Sequence, residues 1–361
     1  MEMISKIYKN KKILITGHTG FKGSWLSFWL NKMGAKVYGV SDNIPTNPSL
    51  YKILNIRKLL KKDYRINIKN YSKIKKVIEE TNPDIIFHLA GQSLVTRSYK
   101  EPFKTFLTNT FGTLNILNIA SLQKKKMNLV IITSDKVYKN IDKKKKYKED
   151  DKIGGDDPYS SSKGAADIIA NSYKYILEKN GHKIIIARAG NVIGGGDWAD
   201  DRIIADCYKS WVDNKPVKIR NPNSTRPWQH VLEPLSGYLL VGSFLLKNKT
   251  KISGHSFNFG PYRSENKKVG DILKILKKDW KNLKFTFTSK KSFKEHNLLQ
   301  LSSQKAEKIL NWKSILSFKE TIRLTSEWYS ALENNQNMQI YTLKQIRYYE
   351  ENYNKKHIHI F

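Results

Sequence analysis

Tyr159 and Lys163 lie four residues apart in DPYSSSKGAADIIA, a stretch opened by Pro158. On a helix that spacing sets both side chains on one face, and proline suits the first helical position. An ammonium beside a phenol favours the phenolate, so a tyrosine so placed can take a proton near neutral pH. The spacing alone is common by chance and is usually a surface pair. Here it follows TSDKVY (133–138), in which Ser134 ends a buried strand at the carboxyl edge of a sheet, where ligands bind in parallel α/β folds. Ser134, Tyr159 and Lys163 together make a triad able to oxidise a hydroxyl group.

A second constellation is ILITGHTGFKGSWLSFWL, with Gly17, Gly20 and Gly23 between a hydrophobic strand and an amphipathic helix. Glycine suits that place because the turn is tight, the backbone must approach a pyrophosphate, and the helix N-terminus offers N–H groups to its charge. The bare spacing is weak evidence; strand before and helix after make it a dinucleotide signature. Asp42 stands 19 residues beyond Gly23, just after a second strand, where a carboxylate can accept from a ribose diol. No arginine follows closely to receive a 2′-phosphate, so NAD is favoured over NADP.

Both constellations need a sheet to hold them. The β-branched runs KILIT (12–16), KVYGV (36–40), DIIFHLA (84–90), NLVIIT (128–133) and KIIIA (183–187) alternate with helix-length amphipathic stretches. That rhythm predicts an α/β fold, a doubly wound parallel sheet of Rossmann type. After Arg188 the pattern loosens into NVIGGGDWADDR and NPNSTRPWQHVLEP, loop chemistry of the kind that shapes a ligand pocket. Apolar runs such as YLLVGSFLL (238–246) and SFNFG indicate a return to the first domain before a smaller C-terminal α/β substrate-binding domain closes. The expected division is 11–187 for the NAD-binding domain with a return near 228–260, 188–335 largely for substrate, and 336–361 as a polar, aromatic tail without periodicity.

Composition excludes several classes. The net charge of +33 and pI near 9.9 invite a nucleic-acid reading. The lysines are spread over nearly every segment, however, and no nucleic-acid motif accompanies them, so we expect no specific nucleic-acid partner. The block KKKKYK (143–148) reads as a solvated loop. One cysteine, Cys207, allows no internal disulfide, and no Cys/His cluster has zinc spacing. No stretch is long enough to span a bilayer, and the N-terminus lacks an apolar leader core. The expectation is a cytoplasmic protein without metal or membrane partner.

In their order, TGHTGFKG, FHLAGQSLV, TSDKVY, YSSSKGAAD, RAGNVIGGGDW and RNPNSTRPWQHVLEPLSGYL resemble the CDP-glucose 4,6-dehydratases, a branch of the extended short-chain dehydrogenase/reductase superfamily. The likeness runs from about Lys11 to Leu332. The glycine turn alone identifies only the superfamily, whereas the ordered set is specific. The resemblance implies a homodimer that uses NAD and takes CDP-glucose to CDP-4-keto-6-deoxyglucose in deoxysugar biosynthesis. It also implies roles beyond the triad: Asp135 as an acid and Lys136 as a base. Related dTDP-sugar dehydratases carry glutamate where this chain has Lys136, so that position agrees with the CDP branch.

By the same resemblance the cofactor is lined by Gly17, His18, Gly20, Phe21, Lys22 and Gly23, by Asp42 and Asp63, and by Leu89, Ala90, Gln92 and Asn109, with Tyr159 and Lys163 at its reactive end. Asn191, Arg202, Arg226 and His230 fall on substrate contacts, with Arg226 and His230 where the family grips the nucleotide diphosphate. In the implied reaction Tyr159 removes the proton of the sugar 4-hydroxyl as hydride leaves C4 for NAD, Lys136 and Asp135 eliminate water across C5 and C6, and the hydride returns to C6. An epimerase or reductase on this fold would use the triad without Asp135 and Lys136. A silent nucleotide-sugar or nucleic-acid binding module would make no product. Trp198 and Trp228 could stack on a base or fill core and are left out of the site.

Overall fold

A computed structural model of the chain describes residues 1–141, 145–219, 222–223, 225–248, 250–261, 267–288 and 299–356. Lys143 and Lys144 of the lysine block, and Asn221 and Ser224 of the proline-punctuated loop, lie outside the described residues. The expected strands form β1 (Lys12–Thr16), β2 (Lys36–Ser41), β4 (Ile85–His88), β5 (Asn128–Ile132) and β6 (Lys183–Ala189), with β3 (Lys62–Arg65) and β7 (Ser256–Phe259) completing the sheet. All seven pair in parallel, in the order β7-β6-β5-β4-β1-β2-β3. Order reverses between β1 and β4, and that crevice is where a doubly wound sheet binds its ligand. The central strands are buried on both faces, which is why they read as unbroken apolar runs rather than alternating ones.

Two helices carry most of the chemistry. Gly20 caps α1 (Phe21–Lys32) at the end of the β1 turn, and Asp157 caps α2 (Pro158–Lys179), accepting from the Ser160 backbone N–H at 2.9 Å. The run YLLVGSFLL belongs to α3 (Leu232–Leu246), which packs against β5 and β6. The chain then enters β7, the return that the apolar run SFNFG predicts. No helix among the described residues is long and apolar enough to cross a membrane.

The C-terminal residues depart from expectation. Met338–Lys356 is a 19-residue helix, α4, whose buried face is Met338, Thr342, Gln345, Ile346, Tyr349 and Tyr353. Those positions recur at intervals of three, four and one, so helical periodicity is present, but four of the six are polar or amphipathic residues. Polar partners explain their burial: Trp328 donates to Thr342 Oγ1 at 2.9 Å, Gln345 to the Leu324 carbonyl at 2.6 Å, and Tyr349 to Glu233 Oε2 at 2.7 Å.

Candidate active site

The carboxyl end of β5 turns through Thr133 and Ser134 into a single 3-10 turn, Asp135–Val137. Ser134 caps that turn: its hydroxyl accepts from the Lys136 backbone N–H at 3.2 Å and donates to Asp135 Oδ1 at 2.9 Å. Tyr159, in the first turn of α2, is hydrogen-bonded to Ser134, and Lys163 lies one turn further on. Ser134, Asp135, Tyr159 and Lys163 are all buried. The triad and the acid are thus brought together at one sheet edge.

A buried network beneath them fixes this arrangement. Arg188, at the end of β6, donates to Asp167 of α2 through Nε at 2.8 Å and Nη2 at 2.7 Å, and through Nη1 to the Tyr138 hydroxyl at 2.8 Å. Thr133 donates to the same Asp167 at 2.9 Å, and Tyr138 to Asn258 of β7 at 2.7 Å. A planar guanidinium can reach these groups at once, so the 3-10 turn, α2 and two strands are held by one side chain.

Burial dominates the electrostatics. It pushes the Asp135 carboxyl up, against the charge of Lys136, the Ser134 hydrogen bond, and the charges of Lys22 and Arg226. It pulls Lys163 down to about 8. Tyr159 corrects an expectation: burial raises its phenol, the Ser134 hydrogen bond and Arg202 lower it, and Asp135 raises it further. Desolvation disfavours the charged form of both triad members, and that outweighs the phenolate stabilisation predicted from the spacing. Lys22 is pulled down by burial to about 8, with Asp135 and Asp197 raising it and Lys163 and Arg202 lowering it. Its ammonium therefore belongs to the catalytic field as well as to the glycine turn.

The cleft beside the turn is lined by Asp135, Lys136, Asn191 and Arg226, with Asn140, Asp156 and Pro227 among its other walls. Arg202 donates to the Ser93 carbonyl at 3.3 Å, and its charge acts on Tyr159, Lys22 and Asp197. His230 does not join them. Its ring is fully buried against Trp25, edge-on at 6.2 Å between centroids, and burial pulls it down to about 3. A neutral ring in the core carries no charge for a diphosphate, so its expected contact gives way to packing. Trp198 is likewise core, edge-on to Tyr208, Trp328 and Tyr329. Asp197, half-buried and within the fields of Arg202 and Lys22, is the acid that the sequence reading passed over; its one signal was its place directly after GGG.

The cofactor turn fits a dinucleotide. Gly17 has φ +78°, and a Cβ there would stand 2.8 Å from the Ala90 nitrogen; a Cβ on Gly23 would overlap the Gly17 carbonyl. Gly20 gives α1 no side-chain cap, which suits a helix end whose first-turn N–H groups receive a phosphate. Phe21 opens α1 and packs on the core. Leu89 donates its N–H to the Thr16 carbonyl at 3.1 Å, Ala90 its N–H to Thr16 Oγ1 at 3.1 Å, and Gln92 its N–H to Asn109 Oδ1 at 2.8 Å, so these residues border the turn. Asp42 is exposed past the end of β2, accepting from Asn67 Nδ2 at 2.8 Å.

His18 and Asp63 behave differently from expectation. The His18 ring is fully buried with Nε2 2.9 Å from Asp63 Oδ1, while Tyr51 and Arg65 donate to Asp63 Oδ2. Burial pushes Asp63 up, but hydrogen bonds from His18 and Tyr51 prevail and hold it at about 2. Both side chains are spent on each other, leaving only the His18 backbone at the turn. Strand pairing also brings an arginine near Asp42 that linear spacing hides: Arg65 pairs with Ser41, but its guanidinium is bound to Asp63 at 2.8 Å and stacked on Tyr51.

A seven-stranded parallel sheet with a glycine turn after β1 and a Ser-Tyr-Lys set at β5 and α2 defines an extended short-chain dehydrogenase/reductase. The family model described as GDP-mannose 4,6 dehydratase matches residues 14–325, and the chain belongs to that family of sugar-nucleotide 4,6-dehydratases. It is 39% identical to the CDP-glucose 4,6-dehydratase of Salmonella typhimurium over 96% of this chain and 98% of that one. In fold it is similar to an epimerase of Methanothermobacter thermautotrophicus, with TM-score 0.78 and 23% identity over 92% of this chain and 96% of that one. A dTDP-glucose 4,6-dehydratase of Bacillus anthracis, solved in complex with NAD, is similar at TM-score 0.73 and 20% identity, over 91% and 99%.

Proposed function

We propose that the chain is an NAD-dependent dehydratase that converts CDP-glucose to CDP-4-keto-6-deoxyglucose. The observation that carries this reading is the pairing of Asp135 and Lys136 in the cleft wall directly after Ser134, since an epimerase or reductase needs no acid and base at that point. The 39% identity to a CDP-glucose 4,6-dehydratase supports the choice of base. In this reading residues 11–187, with the return near 228–260, carry the cofactor, and 188–335 supply most substrate contacts.

The glycine turn, the α1 N-terminus and Asp42 would hold NAD, which when bound accepts hydride from the sugar and later gives it back. Tyr159, assisted by Ser134, takes the proton of the sugar 4-hydroxyl as its phenolate, the form that the Lys163 ammonium favours against burial, and is left as the neutral phenol. A ketone at C4 acidifies the C5 hydrogen, and Lys136, as the neutral amine, takes that proton and becomes the ammonium. Asp135, whose carboxyl burial pushes up, gives a proton to the departing 6-hydroxyl, so water leaves across C5 and C6. Lys136 then returns a proton to C5. Arg226 and Asn191 in the cleft, with Arg202 beside it, suit a diphosphate.

The family resemblance implies a homodimer. Its support here is an exposed apolar surface on two neighbouring helical stretches, Phe103 and Phe111 on one and Ile168 and Tyr175 on α2. The cytoplasm is the proposed compartment, consistent with a lone, buried cysteine; cell fractionation tests it. For the reaction, the protein is incubated with CDP-glucose, dTDP-glucose or GDP-mannose, with and without added NAD, and product mass is recorded. Loss of one water from CDP-glucose alone is expected. An isomer of unchanged mass would make the protein an epimerase, and no product would leave only binding.

A further inference from the structure

His88 closes β4, is fully buried, and has no part in the chemistry above. Its ring lies between two threonines, with Nδ1 2.8 Å from Thr16 Oγ1 and Nε2 3.0 Å from Thr113 Oγ1. The direction of each bond follows from groups that can act in only one way. The Thr113 hydroxyl gives its single proton to the Asn109 carbonyl at 2.7 Å, so it must accept from His88, and Nε2 carries the ring proton. In a neutral imidazole Nδ1 is then an acceptor and takes the Thr16 hydroxyl proton. Thr16 Oγ1 in turn accepts the Ala90 N–H at 3.1 Å. Burial, helped by the charge of Lys163, pulls His88 down to about 3, which keeps the ring neutral.

Four bonds therefore run in one direction, from the Ala90 N–H through Thr16, His88 and Thr113 to the Asn109 carbonyl. Both ends border the reaction. Thr16 precedes Gly17, and the Ala90 nitrogen is the atom that a Cβ on Gly17 would meet. Asn109 sits in a π-helical turn, Leu107–Phe111, and its amide donates to the Gln92 carbonyl at 3.1 Å and to Ser162 Oγ at 2.9 Å. A Cβ built on Gly91 would stand 2.9 Å from both Asn109 Oδ1 and Lys163 Nζ, so amide and ammonium converge on one point.

We propose that His88 is a positioning residue, a neutral imidazole that ties the glycine turn to the Asn109 turn so that the cofactor cradle and Lys163 keep one relative placement. Its effect on turnover rests on the dehydratase reading; its geometry does not.

Nitrogen-15 NMR of the parent protein should find His88 as the Nε2–H tautomer, with no titration down to about pH 5. Thr113→Val removes both bonds of the hydroxyl with nearly the same shape. NAD affinity by calorimetry and kcat should each fall roughly 10- to 100-fold, the scale of a misplacement of about 1 Å. KM for the nucleotide sugar should stay within about twofold, because the cleft wall is untouched. Thr113→Ser should recover most of both losses. An Nδ1–H tautomer would overturn the proposal, as would a folded Thr113→Val protein with parental NAD affinity and kcat. If Thr113→Val does not fold, the parent tautomer and the NAD affinity of Thr16→Val decide in its place. A parent that binds NAD but leaves CDP-glucose intact refutes the dehydratase reading instead, while the tautomer and NAD affinity still judge His88.

Discussion

Lys136→Met separates the oxidation step from the elimination step. Lys136 has two effects in the cleft, one in each protonation state: as the neutral amine it takes the C5 proton, and as the ammonium its charge is the largest influence opposing burial at Asp135. Removing the charge lets burial push the Asp135 carboxyl higher still, a shift toward the acid form, so the acid step is not what the variant loses. Ser134, Tyr159 and Lys163 are untouched. The loss is then confined to the missing base, about 10²- to 10⁴-fold in dehydration, or roughly 3 to 5 kcal/mol of barrier. In a single turnover with CDP-glucose, reduced nicotinamide should build up, seen by its near-ultraviolet absorbance, with little loss of water by mass. Solvent deuterium should enter C5 slower by the same factor. Tyr159→Phe should give neither reduced nicotinamide nor exchange, because it blocks the first proton transfer. Elimination by Lys136→Met at the parental rate would refute the reasoning and make Lys136 an ion-pair partner of Asp135. Failure to reduce NAD at all would assign the lysine to oxidation or to the fold.

NAD should bind more tightly than NADP by calorimetry, since a 2′-phosphate would meet Asp42 while Arg65 is held by Asp63; equal affinities would remove Asp42 from the cofactor site. Burial pushes Glu233 up to about 7 against hydrogen bonds from the Leu316 N–H, Tyr349 and the Ile315 N–H. A carboxyl raised above its ordinary 4.5 adds stability that is fully present below that value and is lost as pH rises through about 7, a swing of about 3 kcal/mol. Glu233→Gln should therefore flatten Tm across that window, and an unchanged pH dependence would point to another group. Tyr175→Glu, on the exposed face of α2, should lower the solution mass from dimer to monomer by light scattering, and a monomeric parent would end the homodimer reading. Arg188→Lys keeps the charge but loses the fork, and Tm should fall by the equivalent of roughly 3 kcal/mol; an unshifted Tm would mean that the network is not holding the turn.

The sheet and the glycine turn were legible because buried parallel strands are apolar on both faces and because Gly17 and Gly23 occupy backbone positions that a side chain would block. β3, KDYR, was not, since an edge strand can be polar and these four residues carry no hydrophobic pattern. The helix over Met338–Lys356 was hidden because Thr342, Gln345 and Tyr349 are buried through hydrogen bonds that only the tertiary structure supplies. Tyr159, Lys163, Ser134 and Asp135 were legible as a group, yet the direction of the Tyr159 shift depends on desolvation, which no spacing encodes. His230 shows the opposite failure: its neighbours in the motif reach the cleft, and its own ring turns into the core.

The Arg188 fork sets arginine apart from lysine in this chain. The sequence holds 65 basic side chains, and only ten of them are arginine. At most surface positions either residue would serve, and this protein almost always uses lysine. The exceptions include Arg188 at the buried junction, Arg65 clamped on Asp63, and Arg202 and Arg226 at the substrate end. Where one kind of cation has become the default spelling, the other is a marked letter. Four others, Arg57, Arg97, Arg323 and Arg347, stand exposed on helices, so the letter carries meaning only where, as at Arg188, two oxygens are met in one plane, a contact that lysine cannot copy.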